Sequence, residues 1–406
     1  MSKNLYHFYE FSINSEILFL ISAISGFSSS DSEEFREKDC PDTVSMLHCK
    51  QYQRKETYAM NNLKAFHIDA GRKYYSKEQL IDLIDVCSEN GFNLLELAIG
   101  NDGFRMLLND MDLTTPYGSF AGDLVRSALH EGNLAYCDNG TNELTEDEVD
   151  SLIRYAKERG IDVMPLINSP GHMDAILTAM KALGISDPAY KNSATTVDLN
   201  NRGAVAFTLA LLEKYIQWFA GKGCSYFNLG SDEYANDVLA SGFASLQNKE
   251  QYEYHKFIAY VNRLAGIIRE NGMTPVMFND GVYYNKDLNG GILDKDIVVS
   301  YWSSGWPSYD PAPVAFIEAQ GHKILDTSAA WYYVLGRTEG DGGNQDFTYQ
   351  SALKSMADPV SPVASAMKKT SPIGSMFCLW SDAPQVPYDE KEAARLHCLL
   401  ERFHPE

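Results

Sequence analysis

The chain has 406 residues, of which 45% are hydrophobic and 12% aromatic, and its formal net charge is −21. This acidic field repels phosphate backbones and anionic lipid headgroups, so we expect neither a nucleic-acid partner nor a membrane surface, and a neutral partner fits better. Seven scattered cysteines without a CxxC pair predict neither a disulfide framework nor a zinc site.

The first 60 residues show no regular pattern. They include Ser28–Asp39, a Ser/Asp/Glu-rich stretch typical of a solvated linker. We predict an extension of unassigned fold over residues 1–60 and one domain over residues 61–406. The apolar run Ile17–Phe27 has the length of a signal-peptide core, but the acidic stretch before it has the wrong charge for an export signal. The run is too short to span a bilayer, and the sequence does not distinguish a cytoplasmic from an exported protein.

From Ala65 onward, strand-like apolar runs alternate with helix-like stretches. The eight predicted strands cover residues 65–70, 92–99, 161–167, 225–229, 274–278, 296–302, 322–326 and 374–380. Helices are predicted over residues 77–90, 145–159, 204–220, 250–270 and 390–402, the first two with capping-box patterns at Ser76 with Gln79 and Thr145 with Glu148. This alternation predicts the α/β class and a (β/α)₈ TIM barrel, with a doubly wound open sheet as the alternative. No GxGxxG motif follows the first strand to favour a dinucleotide fold.

Polar and aromatic side chains follow the predicted strands. In a barrel these strand ends converge on one face, where catalytic residues lie. Four of the five tryptophans are among them, which favours an aromatic platform for a sugar ring. The long segment between Gly100 and Gly140 is predicted to be the loop that shapes the pocket. The strand-end residues are Asp69, Arg72, Asn101, Asp102, Asn168, His172, Asp232, Glu233, Asn279, Asp280, Trp302, Trp306, Trp331, Tyr332, Trp380 and Asp382.

The stretch FNLGSDEYAN, residues 227–236, is the centre of this pattern. A short aromatic strand ends in Gly230 and Ser231 and delivers Asp232 and Glu233 at its carboxyl tip. Two adjacent acids are most often a solvated strand end. The tryptophans, the arginine and the further acids at the other strand ends favour a carbohydrate site instead.

Five motifs resemble family 20 glycoside hydrolases, the β-N-acetylhexosaminidases. They are, in chain order, DAGRKYYS, PGH, GSDEYAN, WYY and CLWSD, and the resemblance covers residues 60 to 402. DAGRKYYS, GNDG and LGSDEYAN are most similar to the surface exo-β-N-acetylglucosaminidases of bacteria. The resemblance implies release of terminal β-linked GlcNAc, or GalNAc, with retention of configuration. The substrate's own acetamido group would act as the nucleophile, without a metal or another cofactor.

The resemblance also implies roles for individual residues. Glu233 would be the general acid/base, with a raised pKa. Asp232 would orient the acetamido N–H and offset positive charge on the cyclised intermediate, while Tyr332 would hydrogen-bond the acetamido carbonyl. The binding residues would be Trp302 and Trp331 as pocket walls, Trp380 as the platform, Arg72 and Asp382 on outer hydroxyls, and His172 behind the residues that touch substrate.

Two positions depart from the family pattern. Asn168 stands where the family usually has an aspartate four residues before the histidine of PGH, so a proton relay through His172 lacks its usual partner. Asp382 lies one residue later than the common glutamate and is one methylene shorter. Tyr332 is preferred to Tyr333 for the acetamido contact because of its place in the family pattern.

Three alternatives stay open or are disfavoured. A lacto-N-biosidase of the same family would remove a disaccharide and need a roomier pocket, which the Gly100–Gly140 segment would decide. A non-catalytic sugar-binding barrel is disfavoured by the intact Asp232 and Glu233. A chitinase-type barrel is disfavoured because no DxxDxDxE run exists. The expected partner is a glycan with a terminal β-N-acetylhexosamine, and the sequence predicts no oligomeric state.

Overall fold

The computed structural model describes residues 62–405 except 240, 251, 306–308, 340–345, 358 and 360. The predicted extension over residues 1–60, the Ile17–Phe27 run and Trp306 lie outside the described residues. The domain boundary near residue 60 therefore stays a prediction. In the part of the chain that the structure describes, no helix combines the length and apolar character needed to cross a membrane.

Eight parallel strands of the described chain close into a barrel, which confirms the (β/α)₈ prediction. The first and last strands pair in parallel, with Leu63 opposite Gly374, so the sheet has no open edge at this seam. The doubly wound alternative is therefore wrong. The strands are β1 Leu63–Asp69, β2 Leu94–Asn101, β3 Asp162–Ile167, β4 Tyr226–Asn228, β5 Thr274–Phe278, β6 Val298–Tyr301, β7 Ile324–Asp326 and β8 Gly374–Trp380.

Helices follow the strands and cover the outside of the barrel. Both predicted capping boxes form, at Ser76 with Gln79 and at Thr145 with Glu148, because each pair satisfies backbone N–H groups that a helix start leaves unpaired. The helices are α1 Lys77–Glu89, α2 Gly122–Tyr136, α3 Glu146–Glu158, α4 Asp174–Ala182, α5 Arg202–Gly221, α6 Phe243–Leu246, α7 Tyr254–Glu270, α8 Val314–Ala319, α9 Tyr349–Ala357, α10 Pro362–Met367 and α11 Glu390–Arg402.

The barrel strands divide their side chains between two apolar cores. Alternate residues of a strand point to opposite faces. Met164, Val276 and Met376 therefore pack inside the barrel, whereas Phe66 and Phe377 pack between the strands and the helices. This alternation decides which strand-end residues can reach the interior.

The segment between Gly100 and Gly140 is a packed part of the fold, and its prediction as a pocket-shaping loop is wrong. It contains the hairpin Leu113–Thr115 with Gly118–Phe120 and the helix α2. A β-carbon at Gly132 would lie 2.3 Å from the carbonyl oxygen of Ala175, so α2 packs closely against α4. The segment lines a separate surface groove, whereas it contributes no side chain to the walls of the strand-end cavity.

Candidate active site

A cavity of about 150 Å³ opens at the carboxyl ends of the barrel strands. Its floor and walls combine carboxylates, one arginine and aromatic rings. Seven of the residues that the sequence singled out line it, together with three apolar residues that it did not. The lining residues are Arg72, Asp232, Glu233, Trp302, Tyr332, Trp380 and Asp382, with Phe278, Val334 and Phe347.

The turn after β4, which carries the two acids, has an unusual backbone conformation. Gly230, Ser231, Glu233 and Ala235 have positive φ angles of 69°, 64°, 47° and 56°. For a residue with a β-carbon, this conformation costs about 1–2 kcal/mol, so its surroundings must stabilise it. Each of these four N–H groups donates to a side-chain oxygen, namely Asn228 Oδ1 at 2.9 Å, Asn168 Oδ1 at 3.0 Å, Asp280 Oδ2 at 2.6 Å and Thr196 Oγ1 at 3.0 Å.

Gly230 is required at the start of this turn for two reasons. Its φ of 69° favours glycine. In addition, a β-carbon there would lie only 2.1 Å from Asn168 Oδ1. The glycine thus lets Asn168 approach the turn closely enough to accept the N–H of Ser231.

Asp232 is nearly buried beneath the cavity, and Asn168 holds it. The amide Nδ2 of Asn168 donates to Asp232 Oδ1 at 2.6 Å. Burial and the neighbouring Glu233 raise the pKa of Asp232, whereas His172 and this hydrogen bond oppose the rise. At the position where Asn168 departs from the family pattern, this chain therefore has a donor that fixes the orientation of Asp232.

His172 connects Glu233 to a different aspartate from the one expected. Its Nε2 lies 3.3 Å from Glu233 Oε2, and its Nδ1 lies 3.1 Å from Asp102 Oδ1. Although burial lowers it, the Asp102 and Asp232 carboxylates raise the pKa of His172 well above its usual value. Asp102 thus occupies the partner role that Asn168 cannot fill.

Glu233 does not have the raised pKa that a general acid is expected to have. Burial raises it, but the hydrogen bond and positive charge of His172 outweigh burial, so the pKa of Glu233 lies below its usual value. The expectation is therefore wrong for the ligand-free site. A proton held by the His172–Glu233 pair resides on the imidazole, in contact with the glutamate.

Arg72 reaches the cavity rim from the turn after β1. Its guanidinium donates to Asp102 Oδ2 at 2.8 Å and to Asp69 Oδ2 at 3.1 Å, and it lies 3.7 Å from Asp382 Oδ1. Asp382 also faces Arg337, at 3.4 Å. Asp102 and Asp69 thus orient the guanidinium of Arg72, and Asp382 lies beside it at the rim of the cavity.

Aromatic rings form the other walls of the cavity. The Trp302 and Tyr332 rings stack with centroids 6.1 Å apart, and Tyr332 lies 5.5 Å from Trp380. Among the described residues, the buried Tyr332 hydroxyl and Trp380 Nε1 have no hydrogen-bond partner. Burial keeps the pKa of Tyr332 well above its usual value, so its hydroxyl stays protonated and can donate.

Trp331 does not line the cavity, and its prediction as a pocket wall is wrong. Its indole packs edge to face on Phe403 with centroids 5.1 Å apart, in the core outside the barrel. Trp331 ends a short 3₁₀ helix, Ala329–Trp331, and Tyr332–Val334 form a short strand that pairs with β8. Adjacent residues of a strand point to opposite faces, so Tyr332 faces inward and Tyr333 outward, while the 3₁₀ turn places Trp331 in the outer core. Tyr333 instead donates to the buried Glu392.

Phe278, Val334 and Phe347 line the cavity but were not predicted from the sequence. Val334 could have been found because it lies two residues after Tyr332 and so shares its face. Phe278 is the last residue of β5, where a barrel strand reaches the site. Phe347 offers no such signal, because its ring meets Tyr332 from a connection outside the barrel strands, at 5.4 Å between centroids.

Residues 62–399 match the sequence profile of the catalytic domain of glycosyl hydrolase family 20. Among solved structures, the tandem catalytic modules of the pneumococcal exo-β-D-N-acetylglucosaminidase StrH include a chain that is 39% identical with a TM-score of 0.78. That alignment covers 85% of this chain and 83% of the other. Dispersin B, at 19% identity and a TM-score of 0.61 over 84% of this chain and 98% of its own, shares the fold.

Two curated relatives have longer chains than the matched region. A lacto-N-biosidase of Bifidobacterium bifidum is 29% identical over 47% of this chain but only 17% of its own length. Beta-hexosaminidase subunit A1 of Dictyostelium discoideum is 23% identical over 84% of this chain and 58% of its own. This chain therefore spans less than two thirds of either relative.

Proposed function

The chain belongs to glycosyl hydrolase family 20, and on that premise we propose that it is a retaining exo-β-N-acetylhexosaminidase acting on terminal β-linked GlcNAc, or GalNAc, of glycans. The observation that carries the proposal is the arrangement of Asp232, Glu233 and Tyr332 around one aromatic cavity. The 39% identity to modules of an exo-β-D-N-acetylglucosaminidase supports GlcNAc as the preferred sugar.

Substrate binding uses the walls described above. The terminal sugar stacks on Trp380, and Arg72 and Asp382 hydrogen-bond its outer hydroxyls. The acetamido group enters between Trp302 and Tyr332. There, the unpartnered Tyr332 hydroxyl donates to the acetamido carbonyl, which offsets the cost of leaving a buried polar group unsatisfied, about 1–3 kcal/mol.

Bond cleavage is substrate-assisted. The acetamido carbonyl oxygen forms a bond to the anomeric carbon while the glycosidic bond breaks, and the departing oxygen takes a proton from Glu233. Asp232 accepts the acetamido N–H and faces the positive charge of the cyclised intermediate, which favours the ionised carboxylate. Glu233 then removes a proton from water, whose attack at the anomeric carbon reopens the ring and retains the configuration.

The His172–Glu233 pair supplies the proton for the first step. In the ligand-free site the proton lies on His172, because the pKa of Glu233 is lowered and that of His172 is raised. A bound sugar covers the Glu233 side chain, which is 37% exposed in the free site. Loss of water disfavours the ion pair, so the proton moves to Glu233.

The cavity favours release of one sugar over release of a disaccharide. Its volume of about 150 Å³ lies below the ~300–1,000 Å³ usual for drug-sized ligands. The likeness to the B. bifidum lacto-N-biosidase keeps disaccharide release as the second candidate.

Four nitrophenyl β-glycosides test the proposal: those of GlcNAc, GalNAc, lacto-N-biose and glucose. We expect the highest kcat/KM with GlcNAc and negligible hydrolysis of the glucoside, which has no acetamido nucleophile. A thiazoline analogue of the cyclised intermediate should inhibit strongly. Comparable rates on the glucoside would overturn the substrate-assisted mechanism, and faster release of lacto-N-biose would favour the second candidate.

A further inference from the structure

Asp280 is a buried carboxylate that contacts the acid-bearing turn and has no part in the reaction proposed above. It follows β5 by two residues and is fully shielded from solvent. Its Oδ2 accepts the backbone N–H of Glu233 at 2.6 Å and the hydroxyl of Tyr309 at 2.7 Å. Its Oδ1 lies 3.3 Å from Trp302 Nε1. One carboxylate thus contacts both the backbone of the acid/base and a wall of the cavity.

The hydrogen bond that Asp280 accepts from the Glu233 N–H stabilises a strained residue of the turn. Glu233 has a side chain and a φ of 47°, so its conformation costs free energy that this short hydrogen bond offsets. The oxygen that accepts this N–H belongs to a buried side chain that is itself held by the Tyr309 hydroxyl and lies against Trp302. The carboxylate oxygens of Glu233 can meet His172 and the cavity only if this backbone conformation is kept.

We propose that Asp280 is a positioning residue: it holds the Glu233 backbone in its left-handed conformation and ties it to the indole of Trp302, so that the acid/base and the acetamido wall keep one relative geometry. This inference rests on the proposed function for its kinetic consequences. Its structural content, the conformation of Glu233, does not depend on which reaction is catalysed.

Asp280 can hold the Glu233 backbone only if its Oδ2 accepts a hydrogen bond in either protonation state. Burial and the neighbouring Asp232 raise the pKa of Asp280 to about 8, while the hydrogen bonds from Glu233 and Tyr309 oppose the rise. A neutral carboxyl protonated on Oδ1 still presents Oδ2 to both donors. An asparagine can present its amide oxygen in the same place, whereas an alanine cannot.

The test compares Asp280→Ala with Asp280→Asn, and uses Asp162→Ala as the matched control. Asp162 accepts the backbone N–H of Ser225, just before β4, but at the opposite end of the barrel. Displacing a reacting group by about 1 Å can cost ~10²-fold in rate. We therefore expect Asp280→Ala to lower kcat/KM about 10–100-fold on a GlcNAc-terminated oligosaccharide and less on a nitrophenyl glycoside. Asp280→Asn should lose less than about tenfold, and Asp162→Ala about twofold at most.

Crystal structures of both Asp280 variants give the readout that is independent of activity. In Asp280→Ala, Glu233 should leave the left-handed region, whereas Asp280→Asn should keep Glu233 in that region because its amide oxygen replaces Oδ2. The amide N–H₂ of the Asn variant would face the indole N–H, so Trp302 should shift in both variants. If Asp280→Ala does not fold, the Asn variant still decides: a left-handed Glu233 with near-normal rates supports the proposal, and a displaced Glu233 contradicts it. A loss equal for both leaving groups, or an Asn variant as slow as the Ala variant, would overturn positioning in favour of a charge effect on Asp232. An inactive wild-type protein would contradict the proposed function, but the variant structures would still decide the role of Asp280.

Discussion

Nε2 of His172 lies 3.3 Å from Oε2 of Glu233, while Nδ1 of the same ring lies 3.1 Å from Asp102. The imidazole therefore lies between two carboxylates. Asp102 helps to keep it protonated, and Glu233 is the group with which it would exchange the proton. This relationship makes the proposed general-acid role compatible with a lowered pKa of Glu233, because the pair, rather than Glu233 alone, retains the proton.

Replacing His172 with glutamine should move the alkaline limit of activity to lower pH. In the wild type, the proton stays on the pair up to the raised pKa of His172, well above 6.5. In the variant, the proton stays only up to the pKa of Glu233 without its histidine. A carboxyl group ordinarily titrates about two pH units below an imidazole, and burial of Glu233 offsets part of that difference. The pH profile of kcat/KM on an oligosaccharide checks this. An alkaline limb at the same pH as in the wild type would mean that His172 does not hold the catalytic proton.

In the proposed mechanism Glu233 is the proton donor, so the effect of Glu233→Gln should depend on the leaving group. Natural sugars need protonation to depart, and we expect a loss of about 10²–10⁴-fold on them. A nitrophenyl group departs with little protonation and should show a smaller loss. Measuring kcat/KM on both substrates checks the assignment, which equal losses would contradict.

Asp232→Asn keeps the shape of the side chain but removes the charge that the proposed mechanism places against the cyclised intermediate. Formation of that intermediate is impaired whatever group departs, so both substrate types should slow to similar extents, about 10²–10³-fold. The same two assays serve here. If this variant shows the leaving-group dependence and Glu233→Gln does not, the two roles are reversed.

Substitutions of the adjacent Tyr332 and Tyr333 should have different effects. Tyr332→Phe removes the hydroxyl that we propose binds the acetamido carbonyl, and a lost hydrogen bond of about 0.5–1.5 kcal/mol corresponds to roughly 2–10-fold in kcat/KM. Tyr333→Phe should leave kcat/KM unchanged and lower the thermal unfolding midpoint, because its partner Glu392 is left buried. The opposite pattern would mean that the inward residue has been misassigned.

Asp326→Asn should stabilise the protein at neutral pH and not at pH 4. Burial raises the pKa of Asp326 to about 7, against about 3.9 in the unfolded chain. The folded state thus holds an extra proton between these values, and the free energy of unfolding falls as pH rises through that window, by up to about 1.4 kcal/mol per pH unit. An asparagine at this position does not titrate, so it adds no such pH dependence to the free energy of unfolding. Urea unfolding of both proteins from pH 4 to 8 checks this, with the exposed Asp296→Asn as control. A difference that does not change with pH would contradict it.

The sequence by itself determined the eight barrel strands, five of the helices and their order. Apolar runs of strand length, helix caps such as Ser76 with Gln79, and the Gly230–Glu233 turn are local signals, because a strand, a cap or a tight turn depends on residues close together in the chain. Eight alternations were enough to predict the closed barrel and hence the face at which Arg72, Glu233 and Trp380 would meet. The glycines of Gly122–Tyr136 obscured the helix whose apolar positions Val125, Ala128 and Leu129 had the right spacing.

Only the tertiary structure decided which side chains face the cavity and which partners hold them. Tyr332 and Tyr333 are neighbours in sequence, but strand alternation sends them to opposite cores. Asp102 meets His172, and Asp280 meets the backbone of Glu233, across 70 and 47 residues of chain. Such contacts depend on the register of neighbouring strands and on turn geometry to within an ångström, and no local pattern of residues carries that information.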